Sequence, residues 1–488
     1  MSKEILITGG HVVTLDDTLG DGLGDGLGDG LGDALGDVPG GDVRVRDGVI
    51  TQIGVGLRPG PDTEVVDARG RLVIPGLIDT HRHVWQGAIA GFTPQMTGYG
   101  YGPAVLTGIS LQHTADDIHA GTLWGALQAL DAGITTIGDW AHALQSADHA
   151  DANLRGLRES GIRGLFFYGG PGPADDDPNP PHPLDARRMR DEHFPGDGGI
   201  GDNNGNGNAG DGDNSGTGNG RGGNSGTGTG RLRMGMALRG PCFTSPERNR
   251  QDFAFARELG LPISIHVGMA GTADAVTALR RDGLLGPDVN YIHANQLTDE
   301  EMDLIAASGG TVTITPSTDM LMQFGTYPAT GRALERGIVS GLGVDTVCSA
   351  GTDLFSEMRL ALAAERSRAN AESLTRNELV HEVALHQRDM LRLATLGGAQ
   401  VLGLADETGS LTPGKQADIT IVDLRSPHLD GFGDPVAMLV LGAGPADVET
   451  VLVGGEFAKR DGTLVGTHAA KARDLMRETQ DRLRAAIH

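Results

Sequence analysis

The sequence predicts an α/β protein: a (β/α)8 TIM barrel with a small β-sandwich domain built from both chain ends. Three observations predict it. Between about residues 71 and 404, apolar strand-like runs alternate with Ala-, Leu- and Arg-rich helical stretches such as Ala115 to Asp131, the pattern of a parallel sheet covered by helices. Eight runs end near His83, Asp139, Gly169, Arg239, His266, His293, Thr315 and Asp345, enough to close a barrel. Short alternating segments separated by Gly and Asp open the chain and return near its end, so one β domain completed by the returning chain accounts for both.

In chain order, residues 1–70 supply the first part of the β domain through segments 5–8, 11–15, 43–46, 49–53 and 64–66. An insert at about 19–37 repeats Leu-Gly-Asp-Gly with a period of four; calcium-binding glycine–aspartate repeats have a period of nine, so it reads as an expanded hairpin loop. The barrel follows over 71–404. Within it, the Pro- and Asp-rich stretch 171–183 directly follows the third strand and should border the mouth of the barrel. An insert at about 196–230 is nearly all Gly, Asn, Asp, Ser and Thr, too polar to bury a core, and should fall on the opposite face after a helix at 183–193. Residues 405–466 return to the β domain through 418–423 and 448–458, and 467–488 form an amphipathic C-terminal helix.

Composition narrows the function. With 488 residues, 38% hydrophobic and 21% charged, the chain is globular. A formal charge of −25 repels phosphate backbones and anionic headgroups, so neither nucleic acid nor a membrane surface is expected as a partner. Cys242 and Cys348 cannot make a disulfide framework and read as buried free thiols. The N-terminus has no apolar leader and no run approaches about 18 apolar residues, so a cytoplasmic location is expected.

Chemistry concentrates at the strand ends. His81 and His83 close an apolar run two residues apart, so their side chains share one face of a strand. Alone, such a pair is either a coincidence near a turn or half of a metal site. His266 ends the fifth strand, His293 the sixth and Asp345 the eighth. Neutral imidazoles with one carboxylate suit a divalent ion that keeps a position open for water.

These residues stand in Pro75-Gly-Leu-Ile-Asp-Thr-His81-Arg-His83, the strand-end His266 and His293, Leu342-Gly-Val-Asp345 and Gly409-Ser-Leu-Thr-Pro-Gly-Lys-Gln-Ala-Asp418-Ile. On those motifs the chain, over nearly its whole length, resembles the amidohydrolase superfamily, within it the branch of cytosine and guanine deaminases and triazine hydrolases. The resemblance implies that His81, His83, His266 and Asp345 hold one divalent metal ion, Zn2+ first, with Fe2+ or Mn2+ as alternatives. It places His293 beside the attacking water and makes Asp345 the group that takes that water's proton and returns it to the leaving group. The fourth strand, 233–239, has no lysine to bridge two ions. Expected is hydrolysis of a non-peptide carbon–nitrogen bond in a small cyclic substrate by a homo-oligomer. Dechlorination or ring opening on the same scaffold is the alternative, and a non-catalytic binding module is the third reading.

Around the mouth, Gln86, Trp85, His142 and His293 are the substrate-contact candidates, Asp139 is expected to orient a ligand histidine, and Tyr99 and Tyr101 to form a lid. His113, His119, His149 and His182 read as surface residues. Two positions depart from the family. Met269 stands where related deaminases often carry a glutamate that exchanges a proton with a ring nitrogen, and Ile314 where they often carry a histidine. A methionine cannot shuttle protons, so either Asp345 and His293 do that work alone or the substrate needs no ring protonation, and a substrate less polar than cytosine or guanine gains weight.

Overall fold

The computed structural model describes residues 3–16, 36–170, 185–195, 230–431, 433–466 and 468–487. The repeats up to residue 35, the 171–183 stretch with His182, and the second insert up to residue 229 lie outside them.

Eight parallel strands follow one another in sequence order: Leu77–Arg82, Ile134–Ala141, Arg163–Gly169, Leu232–Ala237, Ile263–Val267, Val289–His293, Thr311–Ile314 and Ser340–Leu342. Each falls within a few residues of its expected end. The eighth is short, and the barrel closes just beyond it: Asp345 N donates to His81 O at 2.8 Å and His83 N donates to Asp345 O at 3.1 Å. Closure therefore runs through the motif residues themselves. Alternation sorts the strand side chains: Ile78, Trp140, Leu165, Phe167, Ala237 and Ile292 meet inside the barrel with Leu402, whereas Ile137, Phe166, Ile263, Ile265 and Tyr291 pack outward under the helices.

The chain ends share one nine-stranded mixed sheet. Its halves join where Arg71–Pro75 pairs antiparallel with Ile419–Asp423, from Ile419 opposite Pro75 to Asp423 opposite Arg71. Ile5, Ile7, Val43, Val45, Ile419 and Leu452 form a core of its own. Asp418, in the C-terminal motif, ties this sheet to the barrel: buried Arg163, opening the third strand, donates to it through Nε at 2.5 Å and Nη2 at 3.2 Å, and Gly454 N adds a third bond at 2.6 Å. Asp418→Asn leaves that buried guanidinium with only the more distant Glu407, 3.9 Å away, as counter-charge and is expected to cost about 3 kcal/mol, read as a lowered midpoint in chemical denaturation.

The C-terminal helix His468–Ile487 lies behind the segment that follows the first barrel strand. Gln480 Nε2 donates to Ala88 O at 2.9 Å, and Arg482 Nε reaches Asp117 Oδ1 at 3.2 Å on the helix Ala115–Asp131. Asp117 also completes the Thr114 capping box that starts that helix. Turn Val84–Ile89 is thus held from behind by both helices. Among the described residues no helix is long and apolar enough to cross a membrane.

Candidate active site

The first strand enters the barrel tightly packed: a Cβ at Gly76 would stand 2.1 Å from Thr135 Oγ1, so this motif position takes only glycine. At its far end the Nε2 atoms of His81 and His83 stand 3.1 and 3.2 Å from the same oxygen, Asp345 Oδ1. His266 joins them, with one ring nitrogen from each of the three histidines inside a 4.8 Å sphere of mutual separation. Ligands about 2.0–2.1 Å from one ion in tetrahedral arrangement stand about 3.3 Å apart, so this donor set fits a single divalent cation. His83 Nδ1–H donates to Trp140 O at 2.8 Å, which fixes the ring and leaves Nε2 facing Asp345. The glycine of Leu342-Gly-Val-Asp345 is explained by the same closeness, since a Cβ on Gly343 would come within 2.8 Å of His81 O.

Strained backbone aims two of these groups. His293 and Asp345 take φ of 75° and 65°, and Ala294 follows at 57°. Side chains other than glycine rarely adopt this region, and such residues persist where the surroundings over-determine them. Parity alone would send His293 outward with Tyr291; its positive φ instead brings its ring 5.3 Å from that of His266. Behind it, His293 Nδ1–H donates to Asp319 Oδ1 at 2.8 Å, with Thr315 Oγ1 at 3.0 Å.

Charge follows from this packing. Burial pulls His81 down to about 4. Burial and the neighbouring His81 and His293 hold His266 well below its ordinary value, so both rings stay neutral and free to ligate at neutral pH. Burial pushes Asp345 up, yet His81 and His83 outweigh it and keep the carboxylate well below its ordinary range. For His293 burial acts downward, and the Asp319 hydrogen bond and charge overcome it, leaving the ring above its ordinary value.

Asp139 does not orient a ligand histidine. It shares the outward parity of Ile137, accepts from Asn153 Nδ2 at 2.6 Å on the neighbouring helix and from Val84 N at 3.3 Å, and leaves His83 to the Trp140 carbonyl. The middle residue of the opening motif also turns outward: Arg82 is fully buried, 3.5 Å from Asp79, and donates to Thr352 O at 3.1 Å beyond the eighth strand. Asp79 in turn accepts from Val344 N at 3.1 Å and His81 N at 3.3 Å, holding both halves of the site to one carboxylate.

Further out, helix Leu354–Thr375 buries Glu357, which accepts from Ser317 N at 2.9 Å and from Ser317 Oγ. Burial raises this carboxyl from 4.5 to about 8. The native state then binds a proton that the unfolded chain has released, so this contribution to stability is complete below the ordinary value and is lost as pH rises through about 8. Glu357→Gln is expected to flatten that fall: the stability difference, variant minus parent, grows between about pH 5 and 8 in denaturation midpoints taken across pH.

The mouth residues divide. Gln86 is buried and donates from Nε2 to the Tyr101 hydroxyl at 2.6 Å, so Tyr101 is part of the wall, while Tyr99 stands 94% exposed. The His142 ring meets His83 edge-on at 4.3 Å. Trp85 is buried in the outer core, edge-on to His142 at 5.5 Å and His113 at 5.0 Å. His113 and His119 are buried and not surface residues: the first donates from Nδ1 to Ile109 O at 2.8 Å and the second pairs with Glu159 at 3.1 Å. Cys348 is buried, but Cys242 only partly. Met269 and Ile314 are both buried. Sequence reasoning missed Asp319, Phe324, whose ring lies 4.9 Å from His293, and the Trp140 ring, 4.4 Å from His266. Asp319 had one signal, a carboxylate in the first turn of the helix Pro316–Leu321 directly after a barrel strand.

A parallel barrel that gathers three imidazoles and a carboxylate at its strand C-termini defines a metal-dependent hydrolase of the (β/α)8 class. The chain belongs to the amidohydrolase family, whose model matches residues 72–458, and is a hydrolase of non-peptide carbon–nitrogen bonds. It is 28% identical over 437 residues to a 5'-deoxyadenosine deaminase of Methanothermobacter thermautotrophicus, covering 87% of this chain and 90% of that one. A 5-methylthioadenosine/S-adenosylhomocysteine deaminase of Nitratidesulfovibrio vulgaris is 28% identical over 471 residues, 91% and 94% of the two chains. Among solved structures, a zinc-bound adenosine deaminase from Xanthomonas campestris superposes with a TM-score of 0.78 at 20% identity over 99% of both chains. A zinc complex of atrazine chlorohydrolase from Arthrobacter aurescens TC1 gives 0.74 at 22%, over 97% and 100%. At these identities the two structures speak for the fold.

Proposed function

We propose that the chain is a mononuclear zinc aminohydrolase that releases ammonia from an amino-substituted nitrogen heteroaromatic, with 5'-modified adenosines, the substrates named for its relatives, as the first class to test. The observation that carries this reading is Asp345 Oδ1 standing 3.1 and 3.2 Å from two histidines, with His266 completing the donor set. His81, His83, His266 and Asp345 are the residues that would hold the ion. When bound, a divalent cation lowers the pKa of water towards about 7 and polarises the electrophilic carbon.

The rest falls to the chain's own groups. Asp345, anionic at neutral pH, accepts the proton of the attacking water and returns it to the departing amine. His293, kept proton-rich by Asp319, donates a hydrogen bond to the oxygen as it bonds to carbon. Gln86 and His142 are the proposed substrate contacts, Gln86 being preset by Tyr101, while Trp85, packed in the outer core, supports the His142 ring from behind. Asp319→Asn keeps the shape of the His293 support while removing its charge. It is expected to lower kcat by about 10–100-fold with KM and bound metal unchanged, in steady-state kinetics paired with metal analysis.

A second reading keeps the site and changes the leaving group. Met269 supplies no proton to a ring nitrogen, and chloride, unlike ammonia, leaves without protonation. Ammonia release from 5'-deoxyadenosine or 5'-methylthioadenosine by zinc-loaded protein, with Asp345→Asn as blank, supports the first reading. Chloride release from halogenated heterocycles without ammonia from any amino analogue would replace it with the second.

A further inference from the structure

Four loops of the described residues on the catalytic face carry no charge. Residues 84–114 contain no Asp, Glu, Lys or Arg, where the chain's 21% average would place about six, and 267–273, 320–331 and 346–352 contain none either. Main-chain hydrogen bonds join these four loops into one rim: Ala270 N to Phe324 O at 3.0 Å, Gly98 N to Met322 O at 3.0 Å, Gly91 N to Val347 O at 3.3 Å and Thr93 N to Cys348 O at 2.9 Å. Of the carboxylates that flank these loops, Asp345 faces the histidine cluster, Asp319 supports His293 and Asp353 caps the helix Leu354–Thr375, while Asp274 stands exposed at the outer end of 267–273. Arg239, after the fourth strand, pairs with Asp252 on the helix Pro246–Glu258 behind.

What the rim presents instead is apolar. The Phe324 ring lies 4.9 Å from His293, and Met269, on the loop bonded to it, is buried. Outward on the same loops, Phe92, Tyr99, Met320 and Leu321 are exposed. A charged substituent brought here loses its water and gains no counter-charge from these loops, whereas an apolar one is sheltered by Met269 and Phe324.

We infer that the site selects an electrically neutral substrate carrying an apolar substituent beside Phe324 and Met269, and rejects the same ring bearing a phosphate or a carboxylate–ammonium tail. The inference deepens the aminohydrolase reading and rests on it for the ring.

Equilibrium binding of the 6-oxo products, which undergo no turnover, separates the two. On zinc-loaded protein, 5'-deoxyinosine is expected to bind at least about 100-fold more tightly than inosine 5'-monophosphate; equal or tighter binding of the monophosphate overturns the inference. Leu321→Arg places a cation on the exposed rim, outside the catalytic groups, and is expected to narrow that ratio; an unchanged ratio overturns the placement of the substituent at this rim. Ammonia release is read separately with 5'-deoxyadenosine. If none appears while 5'-deoxyinosine keeps its advantage, the aminohydrolase reading falls and the neutral-ligand inference stands; if neither product binds, both fall.

Discussion

Asp345→Asn is expected to reduce kcat by about 10³–10⁴-fold, the upper end of what a positioned proton-transfer group contributes. Asparagine fills the same space but cannot take a proton, and it replaces the one carboxylate facing both His81 and His83. The surroundings sharpen the effect. Asp345 is almost wholly buried and sits at a φ of 65°, held by main-chain bonds to His81 and His83 on the opposite side of the barrel seam. No other carboxylate of the described residues stands within hydrogen-bonding reach of the His81 and His83 Nε2 atoms, so no neighbour substitutes for it. Steady-state ammonia release with folded variant, checked by circular dichroism, reads the loss; residual activity within tenfold of the parent would remove Asp345 from the proton path.

The second large effect is expected from His266→Ala: bound metal falls from about one equivalent to a small fraction, and activity with it. Three imidazoles within 4.8 Å of one another make His266 a full third of the nitrogen donors, and its ring is neutral by burial and by its neighbours. The fold should survive, because the ring's contacts are to Trp140 and the other histidines and not to the outer core. Metal analysis after gel filtration reads this result, and retention of a full equivalent would show the ion held elsewhere.

That His81, His83, His266 and Asp345 converge was legible in the sequence because each lies at the end of an apolar run, and strand ends in a parallel barrel meet on one face. Partners reached through space were not. Asp319 lies on the helix after the seventh strand and meets His293 26 residues away; Arg163 and Asp418 are 255 apart, one in each domain. Asp139 looked equivalent to the other polar strand ends, but whether a residue points in or out depends on a parity that bulges can shift, as the irregular register between the first and second strands does here. His293 shows the converse, an outward position turned inward by a positive φ that its sequence neighbourhood does not announce. His113 and His119 read as surface residues because histidine is polar; both are buried where a carbonyl or a carboxylate satisfies the ring.

The central claim, one metal ion serving one carboxylate in amine release, is tested most directly by titrating metal-stripped protein with zinc while following ammonia release from 5'-deoxyadenosine. The rate is predicted to rise in proportion to bound zinc and to level off at one equivalent per chain. Ammonia release at full rate without metal, or a rise that continues to two equivalents, would contradict it.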